Sequence, residues 1–442
     1  MHISYGTFSP SNVQDDFIEA AESYGFPYVP DLEDFEAAHG FSKSPKYIGP
    51  DGRRQDAASR YIRPLLADGK HPNLHLLLQS RVRRVLFEGK RATGVEYESE
   101  AAFFDETGNN NKQFVNTVNA KRLVVVSAGT FGTPQILERS GIGNKNILAG
   151  LDIPVVADLP GVGENFQDHH FLLSTYRTTL GPNESMDDFT SMRVDFAQAI
   201  KERDTRLGGN SIEVAGKLRM TDAEAQALGT HFKSAWDKDF AKDTSKPIML
   251  TGLINLLLGG HDQIKEEDER IVRYATIGCY TPYPYSRGSV HITSQDCNTA
   301  PKFVTGFLSD ANDIDLKKQV WAYKRMRDLF RRTNIFAGEL EIGHPKFRAG
   351  SKAALTKGPL RETTLKGVQE RSGIQPVVYD EDDDHAIEAW VRENLETTWH
   401  SLGTCKMGRK DEHAVVDENL NVYETAGLKC CGKYGSIPEC AC

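Results

Sequence analysis

The chain has 442 residues, of which 39% are hydrophobic and 26% charged, and its formal net charge is −9. This length favours two to three domains, and the composition is that of a soluble globular protein. The negative charge argues against nucleic acid and anionic membranes as partners, because both attract basic surfaces.

Two helices are predicted near the N-terminus. Residues 13–23 place Phe17 and Ile18 on one side of an amphipathic helix. Residues 56–66 form a second helical stretch, and Asp56 is suited to cap its first turn.

Three strand candidates follow in the next stretch of sequence. Residues 74–78 are a short apolar run, and residues 81–87 and 92–97 are separated by a turn, which predicts a hairpin. Within this hairpin, Val82 and Val85 are expected to face the interior.

Residues 121–143 contain the clearest strand-to-helix pattern. Residues 123–126 are a continuous apolar run, suited to a parallel strand buried on both faces. The small residues 127–129 end the strand, and Thr133 and Pro134 suit the N-cap and the first position of a helix. Such a helix start suits a phosphate or an electron-rich ring. An ordinary βα turn has the same pattern, so both interpretations stay open.

The C-terminal half contains two more strand patterns and two helices. Residues 271–280 and 289–293 are predicted to be antiparallel neighbours, because a turn with an Arg-Gly pair joins them. A long helix is predicted over residues 316–332. The acidic run at residues 380–384 favours the start of a helix over residues 385–397, where negative charge complements the helix dipole.

A candidate base lies directly after this last predicted helix. The stretch 397–408 contains Trp399 and His400, and Gly403 and Gly408 allow a tight turn because glycine has no Cβ. A neutral imidazole on such a turn can accept a proton near physiological pH. From the pattern alone, His400 is either such a base or a side chain that fills a corner between helix and loop.

The cysteines and the two ends of the sequence bear on metal binding and on the cellular compartment. Four of the seven cysteines crowd the end of the chain, and they are Cys430, Cys431, Cys440 and Cys442. Their spacing is not the paired C-x2-C pattern of a zinc module, so no metal site is predicted. The N-terminus lacks the features of a secretory signal, and no apolar run reaches the ~18 residues of a membrane span. We expect an intracellular protein, and the absence of a peroxisomal tripeptide favours the cytoplasm.

Three ordered blocks carry a resemblance to a known family. Residues 128–143 resemble the second signature of the glucose–methanol–choline (GMC) flavin oxidoreductases, and residues 159–169 resemble the segment that follows it. Residues 283–294 resemble the start of the family's C-terminal region. Within the family, the chain is similar to the fungal alcohol (methanol) oxidases, which are peroxisomal; this likeness includes residues 397–400.

The resemblance implies a reaction, a cofactor and a set of site residues. Members of the family bind FAD, oxidise a small primary alcohol and pass the electrons to dioxygen, which yields hydrogen peroxide. His400 matches the proton acceptor, Trp399 an aromatic wall of the substrate pocket, and Val82 the residue whose backbone meets the adenine. Four residues match the turn near the cofactor, and they are Ser127, Ala128, Gly129 and Thr133. The resembling oxidases form large homo-oligomers.

The resemblance also implies a fold of the α/β plus α+β class. An incomplete Rossmann-like, glutathione-reductase-type FAD-binding domain is expected beside a substrate domain built on an antiparallel sheet flanked by helices. The last part of the N-terminal, FAD-binding region would be residues 1–170, and a substrate-domain insertion residues 171–282. Residues 283–429 would be the C-terminal region, which returns to the FAD-binding domain from about residue 397. Residues 430–442 are expected to be an aberrant cysteine-rich tail.

The chain departs from the family pattern at both ends. The strand with G-x-G-x-x-G for the FAD phosphates is not found, and neither is the second proton-handling His or Asn expected some tens of residues after His400. We therefore expect a truncated, impaired oxidase that holds no stoichiometric FAD when purified alone. The alternative is a non-catalytic remnant or assembly-only paralogue that cannot bind FAD.

Overall fold

The computed structural model describes residues 3–99, 115–261, 264, 272–360 and 363–432 of the chain. The chain divides into two compact units, each assembled from three separate stretches of sequence. Unit 1 comprises Met1–Pro72, His170–Pro282 and Ala311–Glu396. Unit 2 comprises Asn73–His169, Tyr283–Asp310 and Thr397–Cys442.

The described residues contain eleven α-helices, most of them short. They are α1 (Ser11–Ser23), α2 (Arg63–Ala67), α3 (Gly129–Arg139), α4 (Lys145–Gly150), α5 (Asp187–Thr190), α6 (Phe196–Glu202), α7 (Asp222–Ala227), α8 (Thr230–Asp239), α9 (Ile314–Phe330), α10 (Gly367–Ser372) and α11 (Glu381–Asn394). Short 3-10 helices lie at Thr205–Gly208, Glu341–Gly343 and Lys410–Glu412, and a π-helical turn lies at Ala58–Ile62. No helix in this part of the chain is long and apolar enough to cross a membrane.

The same residues contain sixteen strands. They are β1 (Gly40–Lys43), β2 (Ser80–Glu88), β3 (Arg91–Ser99), β4 (Val115–Asn119), β5 (Val124–Val126), β6 (Ile142–Gly143), β7 (Ala157–Asp158), β8 (His170–Thr178), β9 (Ile212–Leu218), β10 (Met249–Ile254), β11 (Arg273–Tyr280), β12 (Ser289–His291), β13 (Lys302–Val304), β14 (Phe336–Glu339), β15 (Glu396–Thr397) and β16 (Leu428–Cys430).

The core of unit 1 is an antiparallel sheet. Six of its strands follow the order β1-β9-β10-β11-β8-β14, and each adjacent pair is antiparallel. Helix α9 packs on this sheet, where the ring centroid of Phe330 lies 4.3 Å from that of Tyr176 on β8. An antiparallel sheet flanked by helices is therefore confirmed.

Unit 2 combines an antiparallel ribbon with parallel pairs. Strands β2, β3 and β4 form the ribbon, while β5 pairs parallel with β16, and β6 pairs parallel with β7. Its core is apolar and mostly aliphatic, and it contains Val85, Ala92, Val124, Val126, Ile136, Leu137, Ile142, Ala157, Leu159, Val162, Cys405, Val415, Val416, Val422, Leu428 and Cys430. Together the two units confirm a mixed α/β plus α+β fold.

The predicted hairpin is present as β2 and β3. Val85 is buried, and Val82 packs against the same core although it lies three positions earlier in the strand. Regular alternation would place these two side chains on opposite faces. The pairing register shifts between Val82 and Arg84, and this irregularity turns both valines inward.

The predictions at residues 56–66 and 74–78 have different outcomes. The Asp56 side chain accepts a hydrogen bond from the Ser59 N–H at 2.6 Å, so the cap of the first helical turn is confirmed. The prediction of a strand over residues 74–78 is wrong, because no strand in the described part of the chain pairs with this run. Leu77 and Leu78 are 60% and 70% exposed, as expected for an apolar run without such a partner.

The prediction that residues 271–280 and 289–293 are neighbours is wrong. Strand β11 lies in the sheet of unit 1, between β10 and β8, whereas β12 pairs with β13 in unit 2. The chain leaves unit 1 at Pro282, between the two strands. The turn signal therefore marks a passage between units rather than a hairpin.

The acidic run begins helix α11, as its charge predicts. The Asp380 carboxylate accepts from the Asp383 N–H, and the Asp383 carboxylate accepts from the Asp380 N–H, each at 3.1 Å. The helix ends at Asn394, because Leu395 adopts an extended backbone. The prediction that His400 follows this helix directly is therefore wrong.

Candidate active site

Helix α3 starts immediately after β5. It begins at Gly129, whose φ of +82° lets the chain turn sharply from strand into helix. The prediction that Thr133 is the N-cap and Pro134 the first helical residue is wrong, because both lie inside the helix. Thr133 instead accepts a hydrogen bond from the Ala128 N–H at 3.1 Å, so it closes the turn from within the helix.

A proline inside α3 requires a substitute for a missing hydrogen bond. Pro134 has no N–H to donate to the carbonyl oxygen of Thr130, four residues earlier. The Thr404 hydroxyl donates to this oxygen at 2.7 Å, and the Thr130 hydroxyl donates to the Ser401 carbonyl at 2.8 Å. These two bonds fix the segment after His400 against the first turn of α3.

Asp168 fixes the segment that carries His400. This carboxylate is 3% exposed and accepts hydrogen bonds from the Thr397 hydroxyl at 2.5 Å, the Thr398 hydroxyl at 3.2 Å and the His400 N–H at 3.2 Å. Trp399 lies inside this turn with φ of +60°, which costs about 1–3 kcal/mol for a bulky residue. Hydrogen bonds to a buried carboxylate are strong enough to offset that strain.

Two imidazole rings meet at this turn. His400 Nδ1 lies 3.2 Å from His169 Nδ1, and the ring planes are inclined at 81°. His169 is buried and His400 is half-buried. The single hydroxyl hydrogen of Thr398 is shared between Asp168 and the His169 carbonyl oxygen, which lies 3.3 Å from the hydroxyl oxygen, so the backbones of both histidines are held.

His291 anchors the loop that leads to Asp168. Its Nδ1 lies 2.7 Å from Glu138 Oε1 on α3, and its Nε2 lies 3.1 Å from Glu164 Oε1 on the loop. Burial alone would lower the pKa of His291, but the hydrogen bond and charge of Glu138, together with Glu164, raise it overall. The His291 ring therefore bridges two carboxylates and joins the loop to the helix.

The turn between β5 and α3 can accommodate a flat, electron-rich cofactor. Ser127 and Ala128 are exposed, and a Cβ built on Gly129 would meet no heavy atom within 4 Å. The positive end of an eleven-residue helix lies at the same place and favours electron-rich groups. Small side chains, open space and a helix start beside His400 together fit such a group.

The remaining predicted site residues lie in different surroundings. Trp399 is adjacent to His400 but 74% exposed. Val82 lies on β2, and this strand bonds to α3 through the Val85 N–H, which donates to the Ser140 hydroxyl at 2.8 Å. Ser140 caps the C-terminal end of α3, so Val82 belongs to the opposite end of the helix from Gly129.

Sequence reasoning did not single out Asp168 and His169. Both lie in a block recognised as a whole, directly before a strand, and their spacing to His400 gives no local signal. The sequence signal that could have revealed them is a pair of adjacent ionisable residues directly before a buried strand. The imidazole that lies beside His400 comes from earlier in the chain, directly before β8.

Burial is incomplete around the strand that leads into this turn. Strand β5 lies where residues 123–126 predicted it, but Leu123 and Val125 are 44% and 51% exposed. The prediction that this strand is buried on both faces is therefore wrong. Among the described strands, β16 alone pairs with β5, so alternate side chains stay uncovered.

Comparisons with known proteins agree in pointing to one family. Family models described as GMC oxidoreductase match residues 1–171 and 284–439. Alcohol oxidase 1 of Komagataella phaffii is 34% identical over 97% of this chain and 68% of its own length. The oxygen-dependent choline dehydrogenase of Pectobacterium carotovorum is 29% identical over 93% of this chain and 60% of its own length.

Solved structures share the fold. The crystal structure of a formate oxidase has a TM-score of 0.75 at 19% identity, over 99% of this chain and 69% of that one. An FAD-dependent oxidoreductase from Chaetomium thermophilum has a TM-score of 0.69 at 23% identity, over 96% of this chain and 67% of its own.

Proposed function

This chain belongs to the GMC oxidoreductase family, and from that premise we propose that it is an FAD-dependent oxidase of small primary alcohols with dioxygen as electron acceptor. The single observation that carries the proposal is the position of His400. Its backbone is bonded to Asp168, and its neighbour Ser401 is bonded to the first turn of α3. A base is thereby fixed beside the turn that suits the flavin.

His400 accepts the hydroxyl proton of the alcohol. An imidazole suits this role because it changes charge near physiological pH. When bound at the turn before α3, FAD would supply the hydride acceptor and the redox chemistry with dioxygen. Trp399 forms one side of the approach to His400, and its exposed ring supplies an apolar surface for a short alkyl chain.

Other residues hold the cofactor and the base in place. Ser127, Ala128 and Gly129 form the open turn that receives the flavin, and Thr133 keeps the shape of that turn through its bond to Ala128. Val82 is the contact at the adenine end. Because Asp168 and Thr130 hold the His400 segment, the base keeps one orientation while the proton moves.

The test is peroxide formation by the full chain in the presence of added FAD. Bound flavin per chain is measured by absorbance, as purified and after FAD addition, and methanol, ethanol and butanol are offered as substrates. The His400→Asn variant is expected to lose about 100- to 10,000-fold in kcat/KM, the usual effect of removing a general base.

The matched control is His413→Asn. His413 is exposed and has φ of +59°, a conformation that asparagine tolerates. This variant should retain the activity of the parent chain. Equal peroxide formation by the His400→Asn variant would contradict the role of the base, and no peroxide from any of the three alcohols would contradict the proposed function.

A further inference from the structure

The pairing of two Nδ1 atoms restricts the protonation of both histidines. A single proton can lie between His400 Nδ1 and His169 Nδ1, at their separation of 3.2 Å. In a neutral imidazole, the ring nitrogen without the proton is the acceptor. The direction of this hydrogen bond therefore decides which nitrogen of His400 is basic.

Only one direction leaves His400 able to act as a base at Nε2. If His400 donates from Nδ1, its Nε2 carries no proton and can accept one from an alcohol. If His169 donates instead, His400 carries its proton on Nε2 and has no basic nitrogen there. The hydrogen bond from His400 to His169 also remains in place after proton transfer, because a protonated His400 still donates from Nδ1.

We propose that His169 is a positioning residue, which holds His400 in its Nδ1–H tautomer and stabilises the protonated ring after proton transfer. This inference rests on the proposed role of His400. His169 does not touch the substrate; it acts by accepting the hydrogen bond from His400.

The surroundings show that the pair is built into the fold. Asp168 and His169 are adjacent, and both bind the same turn, since Asp168 accepts from the His400 N–H and the His169 carbonyl accepts from the Thr398 hydroxyl. His169 is 6% exposed, so little space is left for its ring to turn away. The backbone bonds fix both rings at hydrogen-bonding distance without help from a ligand.

The first test is nuclear magnetic resonance of the full chain with nitrogen-15 in its histidine rings. The His400→Asn variant identifies the His400 signals by their loss among the 13 histidines. We expect a protonated Nδ1 and a bare Nε2 on His400 in the parent chain. In the His169→Ala variant, the His400 signals should shift towards the Nε2–H tautomer, because the acceptor at Nδ1 is gone.

The second test is rescue by a conservative variant. In His169→Asn, the side-chain oxygen lies close to the former Nδ1 position and can accept the same bond, so the tautomer should be restored. With FAD and alcohol present, His169→Ala should lower kcat about 10- to 100-fold, the range for losing a hydrogen bond to a charged group. His169→Asn should recover most of that loss.

Thermal unfolding of each variant separates a folding defect from a change at the ring. An Nε2–H tautomer of His400 in the parent chain would overturn the inference, and so would an unchanged tautomer in His169→Ala. If alcohol turnover is found with either of these results, the proposed function stands and the inference falls. If the spectra behave as expected but no alcohol is oxidised, the histidine pair stands and the proposed function falls.

Discussion

The Thr404 hydroxyl donates to the Thr130 carbonyl oxygen at 2.7 Å, and this oxygen is the acceptor that Pro134 leaves without a helical donor. A residue of the segment that carries His400 thus completes a helix that begins 275 positions before it. The hydrogen bond that replaces the missing helical donor therefore also holds together the two elements that form the candidate site.

Thr404→Val should destabilise the chain. Valine has the same shape but cannot donate, and the buried Thr130 oxygen would lose its partner, which costs about 1–3 kcal/mol. Urea unfolding measures the change. The matched variant is Pro134→Ala, which restores an N–H four residues after Thr130. The loss from Thr404→Val should be smaller in a Pro134→Ala background, and equal losses in both backgrounds would refute the link.

Asp168→Asn should lower activity more than stability. An asparagine retains one acceptor oxygen but presents an amide group where the carboxylate now meets the donors of Thr397, Thr398 and His400. The turn with the strained Trp399 then loses its support, and we expect kcat to fall about 10-fold or more, as for lost charge-assisted bonds. Peroxide formation is the measurement.

The control for that variant is Asp158→Asn, which removes a carboxylate from an exposed ion pair with Lys145. Such pairs contribute about 0–1 kcal/mol, so activity and stability should change little. Similar losses in the two variants would show that Asp168 has no particular role at the turn.

Gly129→Asn should weaken FAD binding without unfolding the chain. Asparagine tolerates the left-handed backbone of Gly129, but its side chain enters the open space at the start of α3. We expect the dissociation constant for FAD, measured by quenching of flavin fluorescence, to rise about 10-fold, which is 1.4 kcal/mol of lost contact.

The matched control is Gly89→Asn in the turn between β2 and β3. Gly89 has φ of +57°, and a Cβ there would also meet no heavy atom within 4 Å. This variant should bind FAD as the parent chain does. Unchanged affinity for FAD in Gly129→Asn would show that the turn is not part of the cofactor site.

The His291 bridge predicts a dependence of stability on pH. The pKa of His291 is raised in the folded chain by Glu138 and Glu164, above its unfolded value of about 6.5. Its contribution is therefore fully present below about pH 6.5 and is lost as the pH rises through the higher folded-state pKa. Urea unfolding across this window should show the loss.

Glu164→Gln should flatten that dependence, because one of the two charges that favour the protonated ring is removed. His71→Gln is the control, since the His71 ring lies at the surface, where a contact such as that with Asp68 contributes little to stability, and this variant should keep the slope of the parent chain. A slope unaffected by Glu164→Gln would exclude the bridge as its source.

Local patterns predicted much of the fold. Helices α1, α9 and α11 and the hairpin of β2 and β3 lie close to their predicted positions, because periodicity, caps and turns act within a few residues. Strand β4 was missed since all of its residues are exposed, so burial left no pattern in its sequence.

The site could be predicted only in part. His400 and the turn at Gly129 were found through a resemblance, and the structure brings them together. The contacts that explain their geometry join residues 232 and 274 positions apart, as between Asp168 and His400 or between Thr130 and Thr404. No local rule predicts such pairs, because they depend on how separate elements pack.

The parallel pairing of β5 with β16 also determines when β5 becomes covered during translation. Val124 pairs with Leu428, so the partner strand is synthesised 304 residues later. At about 5–20 residues per second, a ribosome needs roughly 15–60 s to reach it. During that interval the valines of β5 lack the strand that covers them, and a chaperone that binds extended apolar segments would find β5 accessible until β16 has been synthesised.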